Sequence, residues 1–61
     1  MNKAQAIQAA ANATQTAMQA INDYGRNSTE ANGALRAARQ AVFDARQLGA
    51  TDDDIRAAHP A

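Results

Sequence analysis

The stretch AQAIQAAANATQTAMQAIN, residues 4–22, decides the fold, because it contains no charged side chain and yet is not apolar throughout. Six amide side chains run through it, at Gln5, Gln8, Asn12, Gln15, Gln19 and Asn22. These amides, with two threonines, would be costly in hydrocarbon, so we do not expect a membrane span. The many alanines favour a water-compatible helix instead.

The apolar side chains of this stretch recur at the alternating spacing of three and four that places them on one helix face. This predicted seam consists of Ala4, Ile7, Ala11, Thr14, Met18 and Ile21. The six amides repeat the spacing one residue later and form an amide stripe beside the seam. We expect the seam to face a second helix. The stripe either faces water or meets another protein surface, where hydrogen bonds are wanted and charge is costly.

The first helix is predicted over residues 3–24, with Gly25 ending it in a left-handed conformation. For a second helix, Asn27 and Glu30 form a predicted capping box, with Ser28 as the competing cap. Asn32 and Gly33 follow, and both are poor helix formers. This start is therefore expected to fray or to shift toward Ala34.

A second apolar seam continues from there to Gly49, which is predicted to end the second helix. The seam comprises Leu35, Ala38, Val42 and Ala45, widened by Ala31, Ala34, Ala41 and Leu48. Thr51 and Asp54 form a further capping box, which predicts a short third helix over residues 52–58. The third helix is expected to pack Ile55 near Leu48.

A short connection between two long helices predicts an antiparallel hairpin, so the expected fold is all-α, in a single domain over residues 1–61. A chain this short rarely gains more than ~3 to 5 kcal/mol from its core, and an alanine-rich core falls at the low end. No cysteine is present to add a disulfide. We therefore expect a homo-oligomer. No signal peptide is recognisable, which predicts a cytoplasmic location.

Catalysis is not expected, because the one histidine, His59, stands beside Pro60 near the chain end and no serine lies near a plausible base. The acidic run at residues 52–54 is contiguous rather than alternating, which favours helix capping over calcium binding. We predict no metal and no cofactor.

The outer side of the second helix carries the pattern with most chemical content, a stripe of Arg36, Arg39, Phe43 and Arg46. None of its arginines has a carboxylate three or four residues further on within the helix. Arginine pairs with phosphate and bases stack on aromatic rings, so the stripe suits an anionic planar ligand such as a nucleotide. Tyr24 and Arg26 at the turn extend it. The alternative is a solvated face, with Phe43 packed on a neighbouring subunit or on the third helix.

A helix-turn-helix DNA-binding regulator is a further alternative. Its turn pattern is met by Ala45, Leu48, Gly49, Ile55 and Ala58. Asp44 stands at a position that is usually apolar, and the would-be recognition helix opens with three aspartates, which oppose phosphate contacts. A zero net charge also disfavours DNA.

The stretch NSTEANGALRAARQAVFDA, residues 27–45, resembles the hairpin helix of the phage sponge proteins of the anti-CBASS and anti-Thoeris group. The resemblance rests on Ser28, Glu30, Ala34, Leu35, Ala41 and Ala45, with Val42 and Phe43 as similar types. Ala38 and Arg39 depart from the pattern, which has leucine and an acidic residue there. The resemblance implies an oligomeric hairpin that holds a cyclic nucleotide between subunits without cleaving it, with Arg26, Ser28 and Tyr24 as site residues.

Overall fold

The computed structural model describes residues 2–58 and consists there of three helices: α1 (Lys3–Tyr24), α2 (Thr29–Gln47) and α3 (Asp52–Ala57). α1 and α2 pack together as an antiparallel hairpin, and α3 folds back onto α1. The all-α prediction and the helical hairpin are confirmed. His59 and Pro60 lie outside the described residues.

The start of α1 is fixed by a capping box that the sequence pattern had not suggested. The Asn2 side chain accepts a hydrogen bond from the Gln5 backbone N–H at 2.8 Å, and the Gln5 side chain accepts one from the Asn2 backbone N–H at 3.2 Å. Two amide N–H groups without helical partners are thereby satisfied. Gln5, the first residue of the amide stripe, therefore has a structural role.

The turn between α1 and α2 corrects the prediction of a capping box between Asn27 and Glu30. Ser28 is the N-cap, and its hydroxyl accepts from the Ala31 N–H at 3.0 Å while donating to the Gly25 carbonyl at 2.8 Å. With Ser28 as cap, Glu30 stands one position too early to close a box, and α2 begins at Thr29 without shifting to Ala34. Gly25 has a φ of 89°, which glycine adopts without strain, but its ψ of 156° is outside the left-handed helical region.

The end of α2 follows the prediction closely. Gly49 has a φ of 98°, and the N–H groups of Gly49 and Ala50 return to the carbonyls of Arg46 and Ala45, as in a Schellman motif. The predicted capping box of α3 is also present. Thr51 Oγ1 accepts from the Asp54 N–H at 3.1 Å, and the Asp54 carboxylate accepts from the Thr51 N–H at 3.0 Å.

The core of the hairpin consists of alanine. All buried apolar residues within residues 2–58 are alanines, at positions 6, 10, 11, 17, 31, 38, 45 and 50. No large side chain in this part of the chain is fully buried. Small side chains let two helices approach closely, so the hairpin is compact but buries little apolar area per residue.

The face of α1 that meets α2 differs from the predicted seam. Ala6, Ala10 and Ala17, outside the predicted seam, are buried. Of the seam itself, Ala11 is buried and Ile7 and Ile21 are half-buried, which confirms part of the prediction. Ala4, Thr14 and Met18 are exposed, Met18 by 60%. The face formed by Ala6, Ala10 and Ala17 is rotated by about 90° from the centre of the predicted seam, given the ~100° that each residue turns. Alanines at 6, 10, 13 and 17 repeat the same spacing, and their small size makes theirs the face of closest approach.

On α2 the predicted seam is confirmed, with the alanines at its centre. Ala31, Ala38 and Ala45 are buried at intervals of seven residues, while Leu35 and Val42 beside them are half-buried. Leu48, predicted to widen the seam, is 44% exposed because the chain leaves the helix there.

α3 covers the open end of the hairpin. The cluster of Ala6, Ala10, Ala45 and Ala50 is the innermost part of the core there, and Ile7, Ala41, Val42 and Ile55 pack against it while partly buried. Ile55 is thus placed on the core as predicted, with Ile7 and Val42 rather than Leu48 as the larger apolar side chains at this cluster.

Candidate ligand-binding face

A shallow apolar depression lies on one flank of α2, where the side that faces α1 meets the solvent-exposed side. It has a volume of about 430 Å³ and is lined by Leu35, Ala38, Arg39, Val42, Phe43 and Arg46. All six residues belong to one helix, so the depression opens to solvent. We call this surface the α2 outer face. It contains three of the four members of the predicted arginine and aromatic stripe.

Phe43 and two half-buried aliphatic side chains, Leu35 and Val42, form the apolar part of the α2 outer face. The Phe43 side chain is 56% exposed, although it is one of the two aromatic residues of the chain. An exposed ring with an apolar floor beside it offers a stacking surface for a planar group. Leu35 and Val42 were predicted only as core residues, so the sequence did not indicate that they also line this surface.

The sequence pattern suggested that Arg46 is unpaired, but in the structure it has a carboxylate partner. Its Nη2 donates to the Asp52 carboxylate at 2.5 Å, across the turn that joins α2 to α3. The pKa of Asp52 is lowered from its usual value, first by this hydrogen bond and then by the positive charge of Arg46. The spacing of residues within the helix could not indicate this pair, because Asp52 is six residues after Arg46 and lies beyond the end of α2.

Arg39 is the cation of the depression that has no carboxylate partner among residues 2–58. Arg36 is likewise exposed and without an acidic partner within those residues, but it does not line the depression. A guanidinium group in this state retains all its donors for an external anion. The three arginines of the predicted stripe therefore differ. Within residues 2–58, Arg39 beside the Phe43 ring and Arg36 outside the depression have no carboxylate partner, whereas Arg46 is paired.

The three predicted site residues near the turn lie apart from this depression. Tyr24 is 62% exposed and Arg26 is exposed, and neither lines the α2 outer face. The Ser28 hydroxyl both accepts and donates within the turn, so its hydrogen-bonding capacity is largely used by the fold. The turn and the α2 outer face are two separate candidate places for a ligand.

The amide stripe lies on the side of α1 that points away from α2. Gln15, Gln19 and Asn22 are exposed, whereas Gln8 and Asn12 are half-buried and joined by a hydrogen bond of 3.0 Å between their side chains. A smaller depression, of about 190 Å³, lies between α1 and α3. Its α1 lining is Gln15 of the amide stripe together with Ala11, Thr14 and Met18 of the predicted seam.

The acidic first turn of α3 acts as a helix cap. Asp54 is bonded to Thr51, and the Thr51 backbone hydrogen bond lowers the pKa of Asp54 below its usual value. Over residues 2–58 no group of three or more acidic or histidine side chains is arranged to bind a metal ion. In the same part of the chain, no helix combines the length and the apolar character that a membrane span requires.

Comparison of the chain with protein-family models, with curated protein sequences and with solved structures gave no match. The resemblance of residues 27–45 to the phage sponge proteins therefore stays a prediction.

Proposed function

We propose that this protein is a non-enzymatic binding protein that self-associates and captures an anionic ligand with a planar group, such as a cyclic oligonucleotide, on the α2 outer face. The observation that carries the proposal is the exposed Phe43 ring beside an apolar floor and a guanidinium group, Arg39, that has no acidic partner within the described residues.

Each part of the α2 outer face has a distinct role in this proposal. Phe43 stacks on the planar group, and Leu35 and Val42 provide apolar contact below it. Arg39 pairs with a phosphate through two parallel N–H groups, which a lysine at this position would not reproduce. Arg46 is held in place by Asp52 and borders the depression as a donor rather than as an uncompensated charge.

Self-association is supported by the size of the core. Between residues 2 and 58 only alanines are buried, and the larger apolar side chains Met18, Tyr24, Phe43 and Leu48 are 44–62% exposed. A core of this kind contributes little hydrophobic free energy, so a partner surface is expected to provide the remainder.

Calorimetric titration with a panel of cyclic di- and trinucleotides tests the proposal. We expect heat of binding with the native chain and a loss of about tenfold or more in affinity for Arg39→Gln, because a charge-assisted bidentate contact contributes ~1.5 to 3 kcal/mol. The matched variant Arg26→Gln removes a cation at the turn and should bind normally. Absence of heat with every ligand, or a loss for Arg26→Gln alone, would contradict a site on the α2 outer face.

A protein partner on the amide stripe is a second candidate. Two observations favour it: residues 4–22 contain no charged side chain, and Gln15 and Gln19 of the stripe are exposed. Gln15→Glu should then abolish capture of the partner and leave nucleotide titrations unchanged. We do not propose the DNA-binding alternative, since α3 has six residues and three of them are aspartates.

A further inference from the structure

The α2 outer face has an apolar centre with charges of opposite sign toward its two ends. Phe43 lies at the centre, flanked by Leu35 and Val42. Toward the start of α2 lies Arg36, exposed and without a carboxylate partner among residues 2–58. Toward the end of α2 lies the acidic first turn of α3.

The acidic end belongs to the same side of the molecule as the arginines. Arg46, which lines the depression with Phe43, is bonded to Asp52 at 2.5 Å, so the first turn of α3 adjoins the α2 outer face. Asp52 is occupied by Arg46 and Asp54 by the Thr51 cap. Asp53, between them, is exposed and has no partner within residues 2–58.

A surface that is positive at one end and negative at the other is complementary to a second copy of itself turned through a two-fold axis. With the axis at Phe43, Arg36, seven residues before the axis, meets the partner beyond the end of its α2, where the chain leaves the helix at Leu48 and the acidic first turn of α3 begins at Asp52. Arg39 meets the exposed, uncharged Gln47 and so keeps its guanidinium group free for a ligand.

We propose that a second copy of this chain packs on the α2 outer face about a two-fold axis at Phe43, with Arg36 of each copy paired with the partner's Asp53. This dimer specifies the self-association that is part of the proposed function. It rests on the proposed function in one respect: the dimer closes the depression into a chamber for the ligand between two subunits. The two Phe43 rings meet edge to edge at the axis, so that the face of each ring is left toward the chamber for stacking on the ligand. The chamber then has an Arg39 side chain on each side of the axis.

Charge reversal followed by its compensation tests the pairing. In sedimentation equilibrium the native chain should be a dimer at micromolar concentration. Arg36→Asp and Asp53→Arg should each weaken the dimer by about tenfold or more, since each places two pairs of like charges in the interface. The double variant, with both reversals, should restore the native dissociation constant to within about threefold, because the pair is re-formed in the opposite sense. A monomeric native chain, or a double variant no better than the singles, would overturn the proposal.

Two further variants keep the result interpretable. Phe43→Ser removes the apolar centre at an exposed position and should give a folded monomer by circular dichroism. Met18→Ser changes an equally exposed apolar residue of α1 and should leave the dimer intact. A dimer that survives Phe43→Ser and is lost in Met18→Ser would place the interface on α1 and reject the inference. The ligand titration is read separately, because all these variants except Phe43→Ser retain both Arg39 and Phe43.

Discussion

The two sides of α2 differ in side-chain size in the opposite sense to most helices: the small side chains are buried and the large apolar one is exposed. On the side that faces α1, the buried residues are Ala31, Ala38 and Ala45, the last of them with no exposed surface. On the outer side, the larger Phe43 is more than half exposed. In most cores the large apolar side chains are inside and provide most of the stability.

The difference indicates that the two sides have different tasks. The inner side determines how close α1 and α2 come, because a methyl group is the largest side chain it accommodates. The outer side retains the apolar area that the hairpin leaves unburied, together with Arg36 and Arg39, which have no carboxylate partner in the described part of the chain, residues 2–58. A surface that combines aromatic and aliphatic groups with arginine is typical of binding surfaces.

The largest expected effect comes from enlarging the inner side. Ala45→Leu inserts three extra carbon atoms at a position with no exposed surface, between α1 and α2. We expect the free energy of unfolding to fall by ~1 to 3 kcal/mol, because the helices must separate or the leucine must adopt a strained rotamer. Urea unfolding followed by circular dichroism measures the change.

The matched control for that variant is Ala37→Leu, which makes the same substitution in the same helix at an exposed position. Its unfolding free energy should remain within about 0.5 kcal/mol of the native value. Equal destabilisation by both leucines would mean that the inner side does not constrain side-chain size, and the comparison between the two sides would fail.

A smaller effect is expected at the turn that sets the two helices against each other. Ser28→Ala removes the N-cap of α2 and the hydrogen bond to the Gly25 carbonyl. We expect a loss of about 1 kcal/mol in unfolding free energy. Asn27→Ala, at the residue that the sequence pattern favoured as cap, should change stability much less. The reverse order in thermal unfolding would restore Asn27 as the cap.

The smallest effect concerns pH and the attachment of α3, which joins the inner side through Ile55 and the outer side through Asp52. The pKa values of Asp52 and Asp54 are lowered in the folded chain by Arg46 and Thr51. Depressed folded-state pKa values stabilise the fold at pH above the usual value of 3.8, and this contribution disappears as pH falls through the folded-state values. Stability should therefore decline on acidification below about that pH.

Thermal unfolding from neutral to acidic pH measures this decline. The Asp52→Asn and Asp54→Asn variants should each show a flatter pH profile than the native chain, since each lacks one of the two carboxylates. An unchanged profile in both variants would show that these hydrogen bonds do not contribute to acid sensitivity.

The fold could be predicted from the sequence where local chemistry decides it. The bounds of α1, the stop at Gly49 and the capping box of Thr51 with Asp54 depend on neighbouring residues, and all three are observed. The inner side of α2 was also correct, because its alanines and the adjacent Leu35 and Val42 select the same face.

The face of α1 could not be predicted from its pattern, because alanines satisfy the helical spacing on several faces at once. The large residues Ile7 and Met18 appeared to mark the seam, but Met18 is 60% exposed and Ile7 packs only at the edge of a core whose buried members are alanines. At the candidate site, the exposure of Phe43 followed from periodicity. The pairing of Arg46 with Asp52 did not, since it requires the path of the chain beyond α2.

An alanine core has an unusual response to mutation. Most cores are weakened when a side chain is truncated and a cavity remains, but here truncation has nothing to remove beyond a methyl group. Substitution by glycine costs about 1 kcal/mol, chiefly through lost helix propensity. Every other replacement adds volume, so at Ala6, Ala10, Ala31 and Ala45, each at most 1% exposed, almost all sequence variation acts by overfilling. The interior of this protein is therefore confined to the smallest side chains, and sequence change is better tolerated at exposed positions outside the α2 outer face.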